Sequence, residues 1–131
     1  MLVWKFKEKD YLRNIDGTLE FLKNDLTSNY ADLSVIAFLK IQAGLTLSKN
    51  LQKYKKNPGL QARMKGYRVK MGFGLHFGWS IEGAIGSNYK IDASYLSPNV
   101  NMASRLEAAT KQFGTGLLIS GKLRDILTDK C

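Results

Sequence analysis

The sequence has one cysteine, one histidine and two prolines in 131 residues, and it is short of acid: 11 Asp and Glu stand against 20 Lys and Arg. The lone cysteine, Cys131, excludes an internal disulfide and a thiolate zinc cluster, and a reducing, cytosolic setting is the expectation that follows. No apolar run approaches the roughly 20 residues that span a bilayer. The opening MLVWKFKEKD carries charges where a signal peptide has its apolar core.

The shortage of acid is local. Residues 1–70 hold 14 Lys/Arg against 6 Asp/Glu and residues 71–131 hold 6 against 5, so the excess behind the formal charge of +9 is in the first half. A basic surface serves nucleic acid, anionic lipid or a phosphorylated substrate, or is simply solvated. Its densest part is KNLQKYKKNPG, Lys49 to Gly59, a helix end running into an Asn-Pro-Gly turn, where the solvated reading is the default. Length and a 44% hydrophobic content fit one domain with a real core.

Periodicity supplies the elements. MLVWKF, residues 1–6, is apolar and β-prone and reads as a strand, and Asn14-Ile-Asp-Gly17 has turn chemistry. From a capping Asp32, residues Leu33, Ile36, Ala37, Ile41 and Leu45 recur at helical spacing and predict a helix with that face buried. Tyr67 to Phe77 alternates like a strand. Ser80 to Ile85 reads as a second, and Gly78-Trp79 would join the two as a hairpin. A helix from Pro98 to about Phe113, a strand within Thr115 to Ser120 and a last helix near Lys122 to Leu127 complete the order. The sum is an α+β chain, a ferredoxin-like sandwich with a largely antiparallel sheet and helices on one face.

Two segments carry candidate chemistry. In NVNMASRLEAA, residues 99–109, Met102, Leu106, Ala109 and Phe113 form a stripe expected to face the core, with Asn101 and Arg105 at its edge. They are either solvated side chains, with Arg105 paired to a carboxylate such as Glu107, or a grip on a nucleotide, amide to ribose and guanidinium to phosphoryl oxygens. The glycine-rich GFGLHFGWSIEGAIGS, Gly72 to Ser87, matches neither a dinucleotide fingerprint nor a P-loop. Its glycines suit a tight hairpin and close backbone approach. His76, with no second His or Cys beside it, reads as a packing residue.

Together these segments resemble the class III nucleotidyl cyclases, the adenylyl and guanylyl cyclase catalytic domains. Gly74 to Gly86 is similar to that family's G-x-H-x-G-x-x-x-x-G-x-x-G hairpin, and Val100 to Glu107, VNMASRLE, to its V-N-x-A-x-R-[LM]-E helix. The resemblance implies a dimer, homo or hetero, with composite sites between subunits, in which a purine nucleoside triphosphate, ATP or GTP, cyclises to the 3′,5′-monophosphate and releases pyrophosphate. It assigns Asn101 to the ribose and Arg105 to phosphoryl charge, and it calls for two Mg²⁺ or Mn²⁺ ions. The base-selecting position falls on Ser94, or on Asp92 if the loop is shifted.

By the same resemblance, residues 1–131 are an incomplete cyclase domain that begins just after the family's Gly-Asp turn. The two metal-binding aspartates are then expected to be missing, and Asp10, Asp16, Asp25 and Asp32 sit in connectors or at a cap and do not replace them. These residues alone are expected to be inactive, and a catalytically silent dimerisation or regulatory module is the alternative. Relatives implied by the family include membrane-tethered proteins with this domain in the cytosol. A basic nucleic-acid binder is not the expectation, because the RNA-recognition signature is lacking.

Overall fold

A computed structural model describes residues 1–129; Lys130 and Cys131, the cysteine weighed above, lie outside the described residues. A 3₁₀ turn, Glu8–Asp10, leads into a hairpin of β1 (Tyr11–Arg13) and β2 (Leu19–Phe21). The Asn14–Gly17 turn closes it: Gly17 takes a positive φ of 81° and its N–H donates to Asn14 O at 2.9 Å. Helices α1 (Asp25–Leu47), α2 (Lys49–Lys55) and α3 (Pro58–Arg63) follow, then β3 (Phe73–Leu75), β4 (Ile81–Ser87) and β5 (Lys90–Leu96). The chain ends in α4 (Pro98–Phe113), β6 (Leu117–Ile119) and α5 (Gly121–Arg124).

The architecture is α+β, and its strands form three two-stranded ladders, two antiparallel (β1 with β2, β4 with β5) and one parallel (β3 with β6). The strand ending near Phe77 therefore does not pair with the one after Trp79, as the Gly78-Trp79 link suggested. β4 instead turns at Asn88-Tyr89 and pairs with β5 over seven residues, Ile81↔Leu96 to Ser87↔Lys90. The physical reason lies in Gly74, whose backbone is pressed against α4: a Cβ there would come within 2.4 Å of Ala103 O and Glu107 N. β3 is thus committed to the α4–β6 unit, and its ladder partner comes from beyond the helix.

MLVWKF is not a strand; residues 1–7 pair with no ladder among the described residues. Its apolar side chains act as anchors instead. The Phe6 ring packs 4.9 Å from Phe21 and 5.7 Å from Phe77, and Trp4 lies 5.8 Å from Phe38. These contacts, edge-on for Phe6 and tilted for Trp4, join the core of Ala31, Val35, Phe73, Leu75, Leu123, Ile126 and Leu127.

α1 also departs from expectation. It opens seven residues before Asp32, because Asn24 and Thr27 form a reciprocal cap: Thr27 N donates to Asn24 Oδ1 at 3.0 Å and Asn24 N to Thr27 Oγ1 at 2.9 Å. Asp32, inside the helix, accepts from Thr128 N at 3.0 Å and holds the turn after α5. The buried stripe runs through Thr27, Ala31, Ser34 and Val35, with Phe38 and Leu45 partly buried behind it, whereas Leu33 is 54% and Ile36 40% exposed. The helix is apolar on two sides, so periodicity selected the wrong one, Leu45 excepted. By length and composition α1, with 23 residues, is long and apolar enough to cross a bilayer, longer than the sequence runs suggested. Its Ala31–Val35 face nonetheless lies in the core.

Candidate active site on helix α4

α4 starts and stops as its sequence dictates. Ser97 caps it, its Oγ accepting from Val100 N at 3.1 Å; Pro98 occupies the first turn, and Gly114 ends it with a left-handed φ of 66°. Between these ends the helix is laid on β3. Gly74 meets the backbone of Ala103, Leu106 and Glu107, and Gly72 meets Thr110, so those residues face inward. Thr110 is buried, and its Oγ1 donates to Glu107 O at 2.6 Å.

This seating corrects the expected stripe. Met102 is 42% and Phe113 74% exposed, because the inward face is rotated by about 80° toward Ala103 and Thr110. Asn101 and Arg105 consequently stand not at the margin of the core but on the far side of the helix axis from it. Both are exposed, about 6 Å apart along the axis. Neither side chain has a hydrogen-bond or ion-pair partner among the described residues, Glu107 included. An amide and a guanidinium presented together and unpaired have their donors available to a ligand.

The hairpin beside α4 carries the other two candidates. Ser94 and Asp92 alternate onto one face of β5, opposite Gly83 and Ile85 of β4. Ser94 is half-buried. Asp92 is exposed and its Oδ2 lies 3.2 Å from Lys90 Nζ. On the reverse face Tyr95 donates to Glu82 Oε1 at 3.0 Å, and Lys5 donates to the same carboxylate, its Nζ 5.6 Å from the Tyr95 ring centre. Lys5 and Tyr95 hold the Glu82 carboxyl below its usual range, and Glu82 raises the Lys5 ammonium.

One residue missed in the sequence connects hairpin and helix. Asn99 Nδ2 donates to Trp79 O at 2.8 Å, leaving Oδ1 to accept from His76 Nε2 at 3.0 Å. His76, read from the sequence as a packing residue, is half-buried and tied to Asn99 by this hydrogen bond. Gly78 is glycine for the same reason, since a Cβ would sit 2.3 Å from Asn99 Cγ. The signal was there in Asn99, two residues from Asn101, but spacing alone does not reveal a partner 20 residues back.

The remaining acids have local tasks. Asp10 Oδ2 accepts from Lys7 N at 2.8 Å, and Asp16 accepts from Thr18 N and Oγ1, which lowers its titration. Among the described residues no three of His, Cys, Asp and Glu come together.

No family model matches the chain. It is 32% identical over 81 residues to an adenylate cyclase of Anabaena cylindrica, covering 61% of this chain and 16% of that protein. With adenylate cyclase 1 of Rhizobium meliloti (strain 1021) it shares 39% identity over 49 residues, 37% of this chain and 7% of the relative. Two structures of a bacterial light-regulated adenylyl cyclase superpose with a TM-score of 0.56 each, at 30% and 31% identity, over 84% of this chain and 29% of theirs. The chain thus spans under a third of the relatives and neighbours it matches. In sequence and fold alike, the chain is similar to adenylyl cyclases, consistent with a class III nucleotidyl cyclase-like domain.

Proposed function

We propose that this domain supplies the Asn/Arg half of a composite site that converts a purine nucleoside triphosphate to its 3′,5′-cyclic monophosphate and pyrophosphate. The observation that carries this reading is the unpaired presentation of Asn101 and Arg105 on the outer face of α4. In the reaction the ribose 3′-oxygen forms a bond to the α-phosphorus, the bond to the bridging oxygen breaks, and charge builds on the phosphoryl oxygens. The Arg105 guanidinium is suited to that charge, and the Asn101 amide to orienting the ribose. Ser94, half-buried and free of the ion pair that occupies Asp92, is the better placed to read the base. The names of the relatives weight the choice toward ATP over GTP.

The other half of the site, with the carboxylates for two Mg²⁺ or Mn²⁺ ions, would come from a second cyclase domain that carries them or from residues outside this chain. The test is cyclic AMP and cyclic GMP formation with Mn²⁺ by this domain joined to metal-binding carboxylates, beside Arg105→Ala. Product formation untouched by that substitution would remove Arg105 from the reaction.

The second reading is a cyclase-like dimerisation or regulatory module without turnover of its own. It predicts association with a cyclase domain and no product with any pairing of subunits.

A further inference from the structure

The basic excess of the first half has a definite destination. Lys55 and Lys56 at the end of α2, Arg68 and Lys70 in the segment entering β3, and Lys111 near the end of α4 line one groove of about 940 Å³. No carboxylate lines it, and among the described residues none of the five cations forms an ion pair. Glu107, a turn before Lys111, approaches Gly72 without lining the groove. Five unpaired cations drawn from three separate segments into one concavity repel one another, and a bound polyanion would relieve that repulsion.

We propose that this groove is a binding site for a small, multiply phosphorylated anion, separate from the Asn101/Arg105 face. Its volume lies within the range of small-ligand pockets, roughly 300–1,000 Å³. It has the charge for a polyphosphate chain and, without an aromatic side chain in its lining, offers no stacking platform for the bases of a single strand. The lining also holds Leu45, Leu51, Val69 and Met71, so a lipid surface is the competing occupant that the vesicle arm below tests. Lys111 is six residues beyond Arg105 on α4, about 9 Å along its axis and about 120° around it, so the two side chains leave the helix on different sides.

The experiment is calorimetric titration of the chain with sodium tripolyphosphate in metal-free buffer. It is run on the native chain, on Lys55→Glu/Arg68→Glu and on Arg105→Ala, with circular dichroism checking each fold. The expected result is saturable binding that weakens at least about tenfold in the double variant, as loss of two charge contacts requires, and stays unchanged in Arg105→Ala. Because all the altered side chains are exposed, the variants should fold, and Lys111→Gln provides a milder second reading of the same groove. Absence of saturable binding would overturn the proposal. So would binding abolished by Arg105→Ala and kept by the double variant, since the anion would then occupy the other face. Binding of poly-uridine RNA or phosphatidylserine vesicles that tripolyphosphate does not displace would overturn it as well.

Discussion

His76 and Asn99 are joined across 23 residues by a 3.0 Å hydrogen bond, and the Asn99 amide passes on to Trp79 O. Through this chain the end of β3 fixes the first turn of α4, two residues before Asn101. The His76 Nδ1 atom is buried without a partner among the described residues, so the ring is held from one side only.

Asn99→Ala should therefore cost about 1 kcal/mol, chiefly because it leaves the half-buried His76 Nε2 without its partner, whereas Trp79 O is exposed to water. Gly78→Ala should cost a similar amount by displacing the Asn99 side chain. Because each change destroys the same contact, the double variant should lose far less than the sum. Urea denaturation of the four proteins measures this, and additive losses would mean that Gly78 and Asn99 act independently.

For Arg105→Ala and Asn101→Ala the expectation is inverted. Both side chains are exposed and unpaired, so stability should move by no more than about 0.5 kcal/mol. In a form of the domain that makes cyclic nucleotide, Arg105→Ala should lower kcat by roughly 10²–10³, the scale of losing one oriented donor to developing charge. A change confined to KM would assign Arg105 to ground-state binding instead.

Much of this site was legible in the sequence because α4 is defined by local chemistry. Ser97-Pro98 starts it and Gly114 ends it, and the range Pro98–Phe113 is the one observed. What periodicity could not settle was rotation. Both α1 and α4 carry apolar residues on more than one side, so the buried face was decided by partners distant in sequence: Gly74 under Ala103, and Thr128 on Asp32. The pairing of β3 with β6 was hidden for the same reason, since a parallel partner arrives only after an intervening helix. MLVWKF has a strand's composition, but its aromatics are used for packing and its backbone for no ladder.

Gly74→Ala tests that seating. Its Cβ would meet backbone atoms of α4 at 2.4 Å, and a helix cannot yield locally as a side chain can. The loss should reach at least about 1–3 kcal/mol, outweighing the few tenths gained by stiffening the unfolded chain. Gly83→Ala, with open space around the position, is the control and should be near neutral. Equal effects at the two glycines would refute close packing of α4 on β3.

The last expectation concerns pH. Lys5 ties the N-terminal segment to the hairpin through Glu82, and Tyr95 donates to the same carboxylate. Glu82 titrates lower in the folded chain than unfolded, chiefly because Lys5 donates to it, so its contribution is complete above the unfolded value and fades as pH falls through the folded one. Lys5 is raised, chiefly by Glu82, so its contribution is complete below the ordinary ammonium value and fades as pH rises through the folded one. Docking of the segment should hold across the neutral range and loosen at both extremes. Trp4 packs on Phe38, so its fluorescence in a Trp79→Phe background reports the docking. Lys5→Ala should shrink the acid limb, and carboxyl-detected NMR should find Glu82 titrating higher in the variant than in the native chain, with only the Tyr95 hydrogen bond left to lower it. Since both groups are exposed, high salt should shrink the difference. An unchanged acid limb in Lys5→Ala would detach the segment's docking from this ion pair and leave the Phe6 and Trp4 contacts to hold it alone.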